Sequence, residues 1–176
     1  MNATASTTQT PMREETERLL SFLSADEVHP LLMEKELPKY SGEAKGELVA
    51  RLAATLDPPP GRLLSRLPEI LTDQNRDAMS SVFILNLRAA EPEARRASLV
   101  GLKRLRHPAL DAFALLTLRD DADAVLDAAC SILIPKAATD AKLKPLLAEV
   151  YRAHRGDEAF QLTIGLLEGS GFGETR

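Results

Sequence analysis

Cys130 is the single thiol of the chain and so the first candidate for nucleophilic chemistry. A reactive cysteine needs partial exposure and a neighbouring positive field or base that favours its thiolate. The face of its helix on which Cys130 lies therefore decides its role. His29, His107 and His154 could ligate a metal, but none shares a helix with another His or a Cys at ligand spacing. Asp120, Asp121, Asp123 and Asp127 resemble a cation cluster, yet lack the glycine and distal glutamate of a calcium loop. The run Gly169-Ser170-Gly171-Phe172-Gly173 neither follows a strand nor opens a helix, so it fails as a phosphate loop. Catalytic residues, metal and cofactor are thus all expected to be absent. What remains is a basic stripe: Arg96, Val100, Lys103 and His107 fall at i, i+4, i+7 and i+11 of one helix.

Ten segments of helical periodicity must position these residues. They lie near 12–24, 29–37, 42–56, 61–71, 74–90, 92–106, 108–119, 121–134, 139–153 and 157–168. No segment alternates apolar and polar at period two, so no strand is expected. Pro58-Pro59-Pro60-Gly61 forces a connection, while Pro92 and Pro108 suit the first turn of a helix, where a missing N–H costs nothing. Pro68 and Pro145 should kink or restart their helices, and Pro30 marks a helix start. Glu91, Glu93, Asp121, Asp123, Asp157 and Glu158 gather at helix starts, where they can cap orphan amides. Residues 1–10 read as a disordered lead, residues 11–168 as one helical domain, and 169–176 as a flexible tail.

The chain repeats itself. Residues 85–102 align with 116–133, so that Leu85, Leu87, Arg88, Ala97 and Leu102 match Leu116, Leu118, Arg119, Ala128 and Leu133. Each copy is the end of one helix, an acidic turn and most of a second helix. Taken in pairs, first helices start near 12, 42, 74, 108 and 139, a period expected for stacked helical pairs. The register sets Cys130 opposite Leu99 and Ile164, both apolar, which makes it a small buried hydrophobe. Glu91-Pro92-Glu93-Ala94-Arg95-Arg96-Ala97 resembles the start of the second helix of a HEAT repeat, and Asp121-Ala122-Asp123-Ala124-Val125 is similar to a weaker copy without the Pro and Arg. The resemblance covers about 74–134. It implies an all-α fold, a short right-handed α-solenoid of about five antiparallel helix pairs. It also implies that second helices line a concave, protein-binding surface.

Composition narrows the function classes. Aromatics are 4% with no Trp, so the core must be built from Leu, Ala, Ile and Val in closely packed helices. A net charge of −4 gives no global attraction to nucleic acid or anionic membrane. The N-terminus lacks an apolar signal region, no run is long enough to span a membrane, and a lone cysteine forms no internal disulfide; a cytoplasmic protein is the expectation.

The leading expectation is therefore a non-enzymatic scaffold or adaptor that binds another protein or peptide. Carried forward through the repeat, Arg96, Val100 and Lys103 reach Asp127, Ser131 and Ile134, then Gln161, Gly165 and Glu168, and these nine should form one ridge. Ala94, Ala97, Gly101, Leu102 and Leu105 occupy the inward arc of the same helix. Segment 74–90 is apolar all round, as a helix buried on several sides would be, or one whose groove takes a small ligand. In the last helix Phe160, Ile164 and Leu167 form an apolar stripe with no repeat beyond it. Either the tail folds back with Phe172 as its cover, or a partner or second subunit sits there, and the balance tips toward a homodimer or partner contact. Two rivals stand: nucleic-acid binding through the basic stripe of 92–106, and an accessory subunit of an enzyme or lyase.

Overall fold

The computed structural model describes residues 9–173, all of it helix and connection, with no strand among the described residues. Ten α-helices follow one another: α1 (Gln9–Ser24), α2 (Pro30–Glu36), α3 (Gly42–Ala54), α4 (Gly61–Arg66), α5 (Arg76–Asn86), α6 (Pro92–Arg104), α7 (Leu110–Thr117), α8 (Asp123–Leu133), α9 (Leu143–His154) and α10 (Gln161–Gly169). Most of the expected disordered lead lies outside the described residues, but Gln9 and Thr10 already belong to α1. Pro108 lies in the turn before α7 rather than in its first turn, but the other prolines punctuate as expected, with a regularity not foreseen. Pro38, Pro68 and Pro135 each turn the end of a helix into a 3₁₀ turn, at Leu37–Lys39, Leu67–Ile70 and Ile134–Lys136. Pro145 sits in the first turn of α9, which starts at Leu143.

Helices α2, α4, α6 and α8 begin at Pro30, Gly61, Pro92 and Asp123, each 31 residues after the last. In space α4 packs on α6, α6 on α8 and α8 on α10, while α5 and α7 flank α6. The α6 and α8 segments are thus direct neighbours. The inward arc of α6 is as expected: Ala94, Ala97, Gly101, Leu102 and Leu105 are buried. Ala97 and Ala128 are buried at their matching positions. Two apolar clusters, one over α1–α6 and one over α6–α10, meet where Leu87, Leu110 and Phe113 pack against both. Burying a leucine such as Leu99 or Leu102 completely contributes about 1.5–3 kcal/mol.

Close backbone approach tightens this row. A Cβ on Gly61 would fall 2.7 Å from the Glu93 carbonyl carbon and 2.8 Å from the Ala94 nitrogen. A Cβ on Gly101 would sit 2.4 Å from the Phe83 ring. Only glycine fits at either place.

The acidic residues do cap helices, but often a neighbour's. Glu91 accepts from the Gly61 N–H at the start of α4 (3.1 Å), and Asp123 accepts from Leu162 and Thr163 at the start of α10 (both 2.9 Å). Glu15 likewise accepts from the Ser41 N–H (2.6 Å). Asp157 caps its own turn through Ala159. Stacking brings one helix start beside the next, so the nearest orphan amide is often in another layer.

Three further expectations need correcting. Segment 29–37 is not the second helix of a first pair: α2 has no fully buried residue, Leu31 and Leu32 are exposed, and α1 contacts α4 in its place. Segment 74–90 is not buried all round, because α5 buries Met79, Val82, Phe83 and Asn86 while Ile84 and Leu85 face out. The C-terminal stripe is not an exposed apolar end. Phe160 and Leu167 are buried, Ile164 is half-buried, and Phe172 packs on the same cluster. The physical reason is the end of α10. Gly171 takes φ 81°, its N–H reaches the Glu168 carbonyl, and the Phe172 N–H reaches Leu167 (2.9 Å). This left-handed cap fixes the chain through Gly173 at small cost, since glycine carries no Cβ.

Candidate docking surface

Cys130 is fully buried, and burial with the nearby Asp127 and Asp123 charges pushes its thiol up to about 12. It packs within the core. The histidines hold local structure. His29 Nδ1 accepts from the Leu31 N–H (3.2 Å), His107 Nδ1 accepts from Ala109 (3.2 Å), and the His154 ring lies 3.9 Å from that of Phe160. The aspartates are divided among separate partners. Asp120 forms a bidentate pair with Arg95 (2.8 Å on both arms), and Asp121 meets the same guanidinium at 2.9 Å. That pairing lowers the Asp120 pKa against the opposing effect of burial and raises that of Arg95. Arg95 also donates to the Ala89 and Ala90 carbonyls (3.0 Å), so it clamps the α5–α6 turn to the α7–α8 turn.

The residues of the expected ridge differ in exposure. Lys103, Gln161, Gly165 and Glu168 are exposed, but Arg96, Val100, Asp127, Ser131 and Ile134 are half-buried in the seams between helices. Val100 and Ile134 pack on the apolar cluster, and the Ser131 hydroxyl donates to the Ala128 carbonyl (2.8 Å). Burial raises the Asp127 pKa, helped by the Asp123 charge and opposed by Arg96. Two basic residues of α6 besides Arg95 have exposed ion-pair partners within the chain, while Lys103 is exposed. Arg96 pairs with Glu93 (3.2 Å) and Arg104 with Glu69 (2.6 Å). Gln161, Ile164, Gly165 and Glu168 do line one shallow depression, next to Tyr151, whose hydroxyl donates to Glu168 (3.1 Å).

A different surface stands out on the first helices. At the end of α5 the chain reads Leu85-Asn86-Leu87-Arg88, and at the end of α7 Leu116-Thr117-Leu118-Arg119. Both copies are placed identically: leucine exposed, polar residue buried, leucine half-buried, arginine exposed. Leu85 is 61% and Leu116 74% exposed, while Asn86 and Thr117 are 6% and 8%. The buried polar side chains are satisfied within their own helices, Asn86 by the Val82 carbonyl (2.8 Å) and Thr117 by Ala114 (2.9 Å). This inverts the usual partition, and exposed apolar surface over buried polar groups is the informative departure.

Two open cavities flank this strip. One, of about 520 Å³, lies between α5 and α7 and is lined by Ile84, Leu85, Arg88, Phe113 and Leu116 among others. The second, of about 470 Å³, lies between α7 and α9 and is lined by Leu115, Leu116, Leu146 and Glu149 among others. Leu116 and Arg119 belong to both, so they form the wall the two share. Neither Arg88 nor Arg119 has an ion-pair partner among the described residues. Sequence reasoning used these residues as evidence of repetition and missed their exposure. Its signal was there: leucine repeats at a position whose neighbour on the inward side is polar. Comparison with protein-family models, curated proteins and solved structures finds no match for this chain.

Proposed function

We propose that the chain is a non-enzymatic adaptor, a short HEAT-like stack of helix pairs that holds a partner protein. The 31-residue spacing of helix starts, the α4–α6–α8–α10 row and the Arg95 clamp between successive turns support a repeat architecture. One observation carries the binding function: the duplicated strip in which Leu85 and Leu116 face out while Asn86 and Thr117 face in. A fold that buries asparagine and threonine and leaves leucine in water gives up transfer energy at both positions. A partner covering the strip recovers the leucines' share of it. This moves the binding surface from the second-helix ridge to the first-helix groove.

The test is a comparison of affinity captures from native cells. Leu85→Ser with Leu116→Ser should lose the proteins that co-purify with the parent and leave the melting temperature within a few degrees, as for exposed positions generally. Capture that survives this pair but is lost with Arg96→Glu and Lys103→Glu would return the site to the ridge.

A further inference from the structure

We propose that the occupant of this groove is an acidic amphipathic helix, with two apolar anchors about two turns apart and its carboxylates over the α5–α7 cavity. The inference rests on reading the Leu85–Leu116 strip as the docking surface and specifies what docks there.

Shape gives the first half. The two cavities lie on either side of α7 and share Leu116 as their wall, so their centres are about one helix spacing apart, roughly 8–10 Å. On an α-helix, residues i and i+7 share a face and are about 10 Å apart at 1.5 Å per residue. An extended strand cannot match this. Its same-face residues fall about 7 or 13 Å apart, and the residue at 10 Å points the other way. An apolar side chain at i therefore fills one cavity while that at i+7 fills the next, and one at i+3 or i+4 lies over Leu116.

Charge gives the second half. In the α5–α7 cavity Arg88 and Arg119 stand at the rim, and the only carboxylate lining it, Asp120, is already held by Arg95. The chain is net negative, so this is a local reversal of its overall sign. Two free guanidiniums beside exposed leucine select carboxylates that flank an apolar anchor, and each can take one bidentately. The α7–α9 cavity differs because Glu149 lines it. Arg119 also lines that cavity and Glu149 offsets its charge, so carboxylates gain most over α5, where Arg88 stands as well, and the neutral end of the ligand lies over α9. Complementarity of this kind selects partner and orientation more than it adds raw affinity.

The experiment uses the full chain and three synthetic fluorescein-labelled helices with leucine at i, i+4 and i+7. One carries glutamates beside the first leucine, one carries lysines there, and one carries glutamines. Fluorescence polarisation reads binding to the parent protein, to Leu116→Glu, and to Arg88→Glu with Arg119→Glu. The glutamate helix should bind the parent about tenfold more tightly than the lysine helix, the sum expected of two exposed charge contacts. Leu116→Glu should abolish binding of all three. The double arginine variant should reverse the preference to lysine, which also shows that it is folded. If the three helices bind the parent equally and all depend on Leu116, the acidic occupant is wrong while the groove reading stands. If no helix binds in a Leu116-dependent way, both fall.

Discussion

Replacing Gly101 by alanine should destabilise this protein, although alanine is the better helix former. A methyl at Gly101 would sit 2.4 Å from the Phe83 Cζ and 2.6 Å from each Cε. Carbon pairs attract best at about 3.5–4.0 Å, so ring and backbone must part by about 1 Å. Phe83 is fully buried, so the displaced ring must push on packed neighbours. Overpacking of this kind costs about 1–3 kcal/mol, and the gain of alanine over glycine inside a helix returns about 0.8–1 kcal/mol. Contacts as short as 2.4 Å put the cost in the upper part of that range, about 2–3 kcal/mol, so the net loss is about 1–2 kcal/mol. For a chain of this size each kcal/mol lowers the melting temperature by about 2–4 °C. Urea and thermal unfolding followed by circular dichroism measure it, and a cycle with Phe83→Leu isolates the contact. The double variant should be more stable than the sum of the singles predicts, because the shorter side chain makes room for the methyl. A Gly101→Ala protein as stable as the parent, or a strictly additive cycle, would refute the claim that α5 and α6 are held at contact by this pair.

Arg106, the one non-glycine residue with positive φ (53°) among those described, ends α6 with its N–H on Lys103 and the His107 N–H on Leu102 (both 3.0 Å). Arg106→Gly removes a left-handed cost of about 1–2 kcal/mol at the expense of unfolded-chain entropy, so urea unfolding should show a net gain of about 0.5–1 kcal/mol. Cys130 should resist a thiol reagent in the native protein and be labelled only as fast as the surrounding core opens, so rapid native labelling would contradict its burial. Asp127 has a folded pKa raised above its ordinary value by burial, so its charged form burdens the fold once the pH exceeds the unfolded value. Asp127→Asn should therefore raise the melting temperature at neutral pH. The gain should vanish below about pH 4, where the aspartate is protonated in both states. A gain independent of pH would show that desolvation is not its source.

Elements specified by signals close together in the chain form where those signals place them. Helices α6 and α8 were legible because Pro92, the acidic turns and the Ala97/Ala128 register are local signals that agree with one another. The inward arc of α6 followed from helical periodicity alone. Where several answers satisfied the same periodicity, the reading failed. Segment 74–90 carried apolar residues on every side, so no periodic argument could tell which side would be left uncovered. Segment 29–37 had a start signal at Pro30 and good helical composition, yet it takes no place in the packed row.

The sequence by itself determined that the chain is helical, where most helices start, that a unit of about 31 residues recurs, and that Cys130 is buried. Those properties depend on neighbours along the chain, or on a period that the residues carry themselves. Only the tertiary structure decided which amides Glu91 and Asp123 would cap and that Leu85 and Leu116 would face water. These depend on which surfaces meet across 20 or more residues of chain, as the Glu91–Gly61 and Asp123–Thr163 contacts do across 30 and 40. A side chain's type fixes what burial is worth. Only packing fixes whether burial happens, and in this protein the leucines left outside mark the surface to test.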